Sequence, residues 1–191
     1  MKTIQKPENP DGRRKTGNMN RYETTLCYIY GPQGILMMHR TKKETDINKD
    51  KYIGVGGHLE HGESPEECVL REVKEETGIT MTSFRLRGII TFVIDEIDEI
   101  TFLYTCDGYE GNLPGTGAFA EEKDGKLPDC SEGELVWISE DKVEELPIWP
   151  GDKIFFRLLK EREDVFSLKL TYIKDELVDA AVDGKKIDFV V

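Results

Sequence analysis

Three glutamates, Glu72, Glu75 and Glu76, lie close together in a stretch whose pattern predicts a helix. At 3.6 residues per turn, their side chains fall within an arc of roughly 100° on that helix. An adjacent stripe of similar width holds residues that would face a core, namely Val69, Leu70, Val73 and Thr77. We therefore expect a helix that buries one side and presents three carboxylates on the next.

Such a carboxylate cluster needs a physical reason to persist. Exposed pairs of like charges on a helix repel by about a few tenths of a kcal/mol, and desolvated pairs repel more strongly. A bound cation removes this repulsion, and oxygen-only ligands suit Mg²⁺ or Mn²⁺. Mg²⁺ takes one or two direct carboxylates and leaves positions for water and phosphate, so a further carboxylate can activate a water. The alternative is a solvated helix face that binds nothing.

The residues before the helix favour the metal site over the solvated face. Gly56 and Gly57 allow the backbone to approach a ligand closely. Glu63 stands just before the helix, and Arg71 lies one turn ahead of the carboxylate cluster. Together they predict a loop and a helix that share one site for a metal ion and phosphates.

The element that would carry these carboxylates is predicted over Ser64 to Thr77. Ser64 can cap the helix, Pro65 suits its first position, and Glu67 completes a capping box. Gly78 is well placed to end it.

Strands are predicted on both sides of this helix, without a regular alternation of strand and helix. The pattern indicates a mixed α/β fold built on a mixed sheet. The further elements are a hairpin of Tyr22 to Tyr30 and Ile35 to Arg40, strands over Phe84 to Asp95 and Glu99 to Cys106, a long loop from Tyr109 to Ser131, a helix over Gly151 to Glu161, and an alternating tail from Val165.

The stretch from residue 57 to 79 is similar to the signature of the Nudix hydrolases, GX5EX7REUXEEXGU, in which U is a bulky aliphatic residue. Every fixed position is filled, by Gly57, Glu63, Arg71, Glu72, Val73, Glu75, Glu76, Gly78 and Ile79. This resemblance implies an α/β/α sandwich with a mixed β-sheet and a loop–helix–loop metal site. It also implies an enzyme that hydrolyses a nucleoside diphosphate linked to another moiety.

The resemblance also implies a role for each residue of the signature. Glu72 and Glu76 would bind Mg²⁺, or Mn²⁺ in its place, with Glu75 beside them and the Gly56 carbonyl as a further ligand. The catalytic set would be Glu63, Arg71, Glu72 and Glu75. In it, Arg71 orients Glu63 or a neighbouring carboxylate, and either Glu72 or Glu75 serves as the general base.

Outside the signature, the chain looks most like the MutT-type 8-oxo-dGTP diphosphatases, in particular the oxidised-purine nucleoside triphosphatase branch. The likeness runs from about Tyr22 to Tyr172 and is carried by residues 52–57, 88–92, 132–137, 149–152 and 166–169. It implies that Trp149 stacks on the purine, that Asp152 reads the base edge, and that Glu132 adds a metal-binding or water-activating acid. The alternatives are core packing for Trp149 and a solvated loop acid for Glu132.

Two positions depart from that branch. Gly151 stands where the branch often has an acid, and Ile53 stands where it often has an asparagine. Both of those residues normally help to read the base, so strict selectivity for 8-oxoguanine does not follow from the resemblance.

The leading functional prediction is a Mg²⁺-dependent nucleoside triphosphate diphosphohydrolase that releases a nucleoside monophosphate and pyrophosphate and so clears oxidised purine nucleotides. One alternative is a Nudix hydrolase of ADP-ribose, a dinucleoside polyphosphate or a nucleotide sugar. Another, from a different class, is a catalytically silent Nudix module that binds a ligand. The complete glutamate set argues against the silent module.

Composition limits the partners of the protein. The 191 residues carry a net charge of −12, which repels polymeric nucleic acid and anionic membranes, while a small nucleotide remains accessible through a metal ion. We expect one domain over residues 21–191 after a disordered leader, residues 1–20. The four cysteines, Cys27, Cys68, Cys106 and Cys130, form no CxxC pair, which favours reduced thiols and a cytoplasmic protein. The oligomeric state stays open.

Overall fold

In the computed structural model, which describes residues 20–42, 47–113 and 132–189, one sheet of nine strands extends through the protein. The strands are β1 (Asn20–Gly31), β2 (Gly34–His39), β3 (Tyr52–Ile53), β4 (Thr80–Ile94), β5 (Ile97–Glu110), β6 (Glu134–Ile138), β7 (Phe166–Ile173), β8 (Glu176–Val182) and β9 (Lys185–Lys186). Their order is β3–β2–β1–β5–β4–β7–β8–β9, with β6 beside β2. β1 pairs with β5 and β4 with β7 in parallel, and the other pairs are antiparallel, so the predicted mixed sheet is confirmed.

Two α-helices cover opposite faces of this sheet. The alternation of β1 separates the faces, because successive side chains of a strand point to opposite sides. Cys27 and Ile29 belong to the core that includes Val69 and Val73 of helix α1 (Pro65–Thr77). Tyr28, between them, belongs to the core that includes Phe155 and other residues of helix α2 (Pro150–Glu161). The predicted α/β/α sandwich is therefore confirmed.

Helix α1 begins and ends as its sequence predicts. The Ser64 hydroxyl accepts a hydrogen bond from the backbone N–H of Glu67 (3.2 Å), and the Glu67 carboxylate accepts one from the N–H of Ser64 (2.8 Å). Gly78 ends the helix in the left-handed region, with φ of 75°, and donates to the Lys74 carbonyl. These two ends fix which residues of α1 reach the loop that precedes it.

That loop is fastened to β1 by main-chain hydrogen bonds. The N–H of Thr25 donates to the Gly57 carbonyl (2.8 Å), and the N–H of Cys27 donates to the Val55 carbonyl (2.7 Å). A Cβ atom at Gly56 would lie 2.1 Å from the Thr25 carbonyl oxygen, so only glycine permits this approach. The loop is thus held between β1 and α1.

Some predicted boundaries were wrong. The strands expected over Phe84 to Asp95 and Glu99 to Cys106 are the longer β4 and β5, which pair antiparallel as far as Thr80 and Glu110. The loop predicted to start at Tyr109 therefore starts after β5. Bulges near Ser83 and Gly88 let the pairing continue through residues that have no strand pattern.

The rest of that loop, residues 114–131, lies outside the described residues, as does the predicted leader up to residue 19. Asn20 already begins β1. In the described part of the chain, no helix is long and apolar enough to cross a membrane.

We predict that Ser64→Ala lowers the free energy of unfolding by about 1 kcal/mol, because it removes the side-chain acceptor at the first turn of α1. Urea unfolding followed by circular dichroism measures the change. Ser64→Asp, which keeps an acceptor, is the matched control and should stay close to the wild type. Equal stability of Ser64→Ala and the wild type would contradict the capping role.

Candidate active site

Arg71 on α1 ties the preceding loop to the helix. Its Nε and Nη2 atoms donate to the two carboxylate oxygens of Glu63 at 2.7 and 2.9 Å, the two-pronged geometry that suits a guanidinium. Nη1 donates to Glu72 at 2.7 Å, and Nη2 donates to the His58 carbonyl at 3.2 Å. One side chain therefore orients two carboxylates of the signature and the loop backbone.

These hydrogen bonds shift the pKa of Glu63. The hydrogen bonds from Arg71, and then the N–H of Glu60, lower the pKa of Glu63 to about 2. The same contacts raise the pKa of Arg71 above its ordinary value. Both groups are charged at neutral pH, so Glu63 acts here as a fixed anion that holds Arg71.

Glu72 lies directly against the glycine loop. A Cβ atom built on Gly57 would stand 2.4 Å from Oε1 of Glu72 and 2.5 Å from its carboxyl carbon. The space that a side chain at residue 57 would fill is therefore occupied by the carboxylate. This explains why a glycine is needed at that position.

Glu76 is the carboxylate in the least favourable surroundings. Burial, and after it the charges of Glu72 and Glu132, raise the pKa of Glu76 to about 8. The N–H of Gly56 points to its Oε2 at 3.3 Å and partly offsets this effect. Two acids thus act on one half-buried carboxylate, and a cation would remove that repulsion.

A metal ion fits this donor set only with help from other ligands. In residues 20–42, 47–113 and 132–189, no three acidic, histidine or cysteine side chains converge closely enough to hold a metal by themselves. Arg71 holds one oxygen of Glu72, and the Gly56 N–H lies against one oxygen of Glu76. Two carboxylates completed by water and phosphate oxygens is the coordination that Mg²⁺ usually accepts in proteins.

Glu75 occupies a different position from the other signature acids. Its side chain is 62% exposed, and its carboxylate lies 3.5 Å from Nη1 of Arg71. Glu72 lines the cleft described below, and Glu75 does not. The structure therefore brings Glu63, Arg71, Glu72 and Glu76 together and leaves Glu75 at the outer side of the group.

A cleft of about 670 Å³ connects this group to a second set of predicted residues. One end is polar and includes Gly56, Glu72 and Glu132, and the other end includes Trp149 and Asp152. Further lining residues are Leu26, Arg40, Asn48, Ile53, Phe92 and Tyr172. The predicted metal-site and base-binding residues thus share one cavity, with the exceptions of Glu75 and the half-buried Glu76.

Glu132 belongs to the polar end rather than to open solvent. Its carboxylate forms an ion pair with Arg40, and its side chain is 28% exposed. Glu132 lines the cleft and its charge acts on Glu76, a position that favours the predicted role over a solvated loop acid.

Trp149 has both a packing and a lining position. It is 7% exposed and belongs to the α2 core, yet it also lines the cleft. Its Nε1–H donates to Oδ1 of Asn48 (2.7 Å), and Nζ of Lys51 lies 4.4 Å from the ring centroid. Asn48 lines the cleft and Lys51 does not, and both contacts hold the indole in place.

Asp152, in the first turn of α2, is 4% exposed. Burial raises its pKa to about 8, and the backbone hydrogen bond from Trp149 and then the charge of Lys51 offset only part of that rise. At neutral pH, Asp152 is therefore mostly a neutral acid, which can donate one hydrogen bond and accept another. Two buried tyrosines, Tyr28 and Tyr172, are near enough for the charge of Asp152 to raise their pKa values, after the larger effect of burial.

Sequence reasoning missed four residues of the site: Arg40, Asn48, Lys51 and Tyr172. None belongs to a recognisable motif, and three of them contact Glu132 or Trp149 across about a hundred residues of sequence. For Tyr172, the one local signal was its partner Gly151, because a glycine at the start of a helix suggests that another group packs closely against it.

The fold and this cleft define a protein class. The family model of the NUDIX domain matches residues 20–159, so the chain belongs to the Nudix family, and it is a hydrolase of phosphoanhydride bonds. Nudix hydrolases generally use divalent metal ions.

The individual relatives include MutT-like proteins. The chain is 25% identical over 169 residues to the Nudix hydrolase YvcI of Bacillus subtilis, covering 85% of this chain and 95% of that one. It is 26% identical over 163 residues to the oxidized purine nucleoside triphosphate hydrolase of Danio rerio, covering 84% and 91%. The crystal structure of a MutT protein from Bacillus halodurans is 27% identical and superposes with a TM-score of 0.69, over 86% of this chain and 99% of that one. The predicted resemblance to MutT-type proteins is confirmed.

We expect Gly57→Ala to abolish most Nudix turnover with little loss of stability, because its Cβ would displace the movable Glu72 carboxylate. Gly56→Ala is the comparison, since its Cβ would meet the Thr25 backbone and should destabilise the fold as well. Turnover and thermal unfolding are measured on both variants. Normal turnover by Gly57→Ala would show that the position of Glu72 is unimportant.

The raised pKa of Asp152 predicts a pH dependence of stability. Between the ordinary pKa of 3.8 and about 8, the folded state holds a proton that the unfolded state has lost, so stability falls as the pH rises through this window. The slope is at most ~1.4 kcal/mol per pH unit. Asp152→Asn should therefore gain stability relative to the wild type between pH 5 and pH 8. A constant difference in chemical denaturation across that range would contradict the prediction.

Proposed function

We propose that this protein is a Mg²⁺-dependent nucleoside triphosphate diphosphohydrolase that acts on oxidised purine nucleotides and releases a nucleoside monophosphate and pyrophosphate. The observation that carries the proposal is a single cleft that joins the signature carboxylate Glu72 and the acid Glu132 to an indole and a neutral acid. Its volume of about 670 Å³ lies in the ordinary range for a small-molecule site. The Danio rerio relative is named as an oxidized purine nucleoside triphosphate hydrolase, which agrees with this assignment.

The polar end would bind the phosphates. Glu72 and Glu76 would hold Mg²⁺, with the Gly56 carbonyl and Glu132 as further ligands. The ion would supply positive charge to the phosphate oxygens and to the bridging oxygen that leaves. Arg71, held by Glu63, keeps Glu72 in place and does not itself need to touch the substrate.

Two carboxylates are candidates for activating the attacking water. Glu72 lines the cleft, whereas Glu75 is mostly exposed and lies outside it. A base must come within hydrogen-bond reach of the water, which favours Glu72. Glu75 would support the site through its contact with Arg71. Alternatively, Glu75 would be an outer metal ligand.

The other end would bind the base. Trp149 offers a fixed aromatic surface, because Asn48 and Lys51 already hold the indole. Asp152, protonated at neutral pH, offers a donor and an acceptor to the edge of a purine. Apolar lining residues such as Leu26 and Phe92 would exclude water around the ring.

The catalytic domain would extend over residues 21–191. Tyr172 in β7 lines the cleft although the family match ends at residue 159. β7 pairs with the central strand β4 and continues into β8 in the same sheet. We place the enzyme in the cytoplasm, where the buried thiols Cys27, Cys68 and Cys106 would stay reduced.

The test is steady-state hydrolysis of 8-oxo-dGTP, dGTP, 2-hydroxy-dATP and ADP-ribose with Mg²⁺, with products separated by chromatography. We expect an oxidised triphosphate to be preferred over dGTP, with pyrophosphate released. Preference for ADP-ribose, or cleavage to inorganic phosphate, would refute the proposed substrate class and leave the Nudix chemistry intact.

Glu76→Gln tests the metal assignment in the same assay. Loss of a ligand whose ion contributes several kcal/mol should reduce kcat at least about 100-fold. The fold should survive, since glutamine is neutral and still accepts from the Gly56 N–H. Glu161→Gln, at the exposed end of α2, is the control and should keep wild-type kcat. Wild-type kcat in Glu76→Gln would remove Glu76 from the metal site.

A further inference from the structure

The base end of the cleft is lined by a tyrosine that no sequence pattern suggested. Tyr172 of β7 is 2% exposed and lines the cleft beside Trp149, with the two rings in an edge-to-face arrangement at 5.4 Å. Its hydroxyl oxygen accepts a hydrogen bond from the backbone N–H of Gly151 at 2.8 Å. The hydroxyl is therefore fixed at the first turn of α2, next to Asp152.

This arrangement depends on glycine at position 151. A Cβ atom there would stand 2.6 Å from the Tyr172 hydroxyl oxygen and 2.4 Å from Cδ1 of Leu170. Any side chain at residue 151, including an acid, would displace the tyrosine. The glycine at residue 151, where the branch often has an acid, is thus what makes room for the Tyr172 hydroxyl.

The hydrogen-bond inventory of the hydroxyl leaves one group free. Its oxygen accepts from Gly151, and among the described residues its proton makes no hydrogen bond. A buried polar hydrogen without a partner is unfavourable unless a ligand or water accepts it. The free group of Tyr172 is therefore a donor.

We propose that Tyr172 is a specificity-determining residue whose hydroxyl donates to the base and selects purines with a carbonyl at the six-position over purines with an amino group there. This inference rests on the proposed function, since it assigns the base edge that the same cleft reads. The neutral Asp152 supplies a second O–H donor at this end. A carbonyl oxygen has two lone pairs and can accept from both, whereas an exocyclic amino group would direct its own hydrogens at them.

Where the branch often has an acid at residue 151, this site has the Tyr172 hydroxyl, which titrates in a different pH range from a carboxylic acid. Burial raises the pKa of Tyr172 above its ordinary value, so the group remains a donor across the physiological range. An acid at residue 151 would instead compete with Asp152 for protons. The tyrosine therefore gives a donor that does not depend on the ionisation of its neighbour.

The test compares kcat/KM for 8-oxo-dGTP and dGTP with that for 2-hydroxy-dATP and dATP in the wild type and in Tyr172→Phe. Tyr172→Phe keeps the ring against Trp149 and removes only the hydroxyl. We expect about a tenfold loss for the six-oxo substrates, mainly through KM, and less than about twofold for the six-amino substrates. An equal loss for both classes would overturn the proposal, because a structural role of the hydroxyl affects all substrates alike.

A second variant and a control separate specificity from folding. Gly151→Ala keeps the hydroxyl but pushes it aside, so it should lower the same substrate ratio. Tyr104→Phe is the control and should leave the ratio unchanged. It removes a hydroxyl that donates to Glu66, and Tyr104 belongs to the core on the other face of the sheet, outside the cleft.

Binding of the product-like monophosphates 8-oxo-dGMP and dAMP, followed by calorimetry in all four proteins, provides a readout without hydrolysis. Tighter binding of the six-oxo nucleotide in the wild type, lost in Tyr172→Phe, supports the proposal even when no pyrophosphate is formed and the proposed reaction fails. Equal binding of the two nucleotides by the wild type overturns it.

Discussion

The close approach of the loop over residues 54–57 to both β1 and α1 is the constraint on which the site depends. Main-chain hydrogen bonds fix the loop on β1, and two glycines lie where any side chain would collide with Thr25 or with Glu72. Because the loop leaves no room for a side chain, the carboxylates of α1 come up against backbone rather than against water. Glu76 then becomes a half-buried acid next to other acids, and Arg71 becomes necessary to hold Glu72 and Glu63.

Asp152 in the cleft and Glu76 beside it have raised pKa values with different physical causes. Glu76 responds to burial together with the charges of Glu72 and Glu132, and a cation relieves that condition. Asp152 responds to burial alone, with Lys51 acting in the opposite direction, and a proton is sufficient. Carboxylic acids therefore lie both at an ionic end and at a neutral end of one cavity, in a protein whose net charge is −12.

The sequence predicted the helix of the signature, its cap and its terminating glycine, because these rest on contacts between residues a few positions apart. It also predicted the sandwich, through the resemblance, and the grouping of Arg71 with Glu63. The exposure of Glu75 was not predictable from helical spacing, since an arc of side chains does not say where the loop covers the helix. Contacts of Glu132 with Arg40, of Trp149 with Asn48 and of Tyr172 with Gly151 join distant segments, and no local pattern encodes them. The ends of β4 and β5 were missed because pairing with a neighbour, rather than residue type, carried these strands further.

The two ends of the cleft are attached to different parts of the framework. The carboxylates belong to α1 and the loop ahead of it, on one face of the sheet, whereas Trp149, Asp152 and Tyr172 belong to α2 and β7, which build the core on the other face. Under the proposed function, substitutions in the second group would alter which nucleotide is accepted without moving the groups proposed to cleave it. Related proteins could thus differ in the nucleotides they accept while the hydrolytic chemistry stays constant. In protein engineering, the two halves of the cleft could be altered separately.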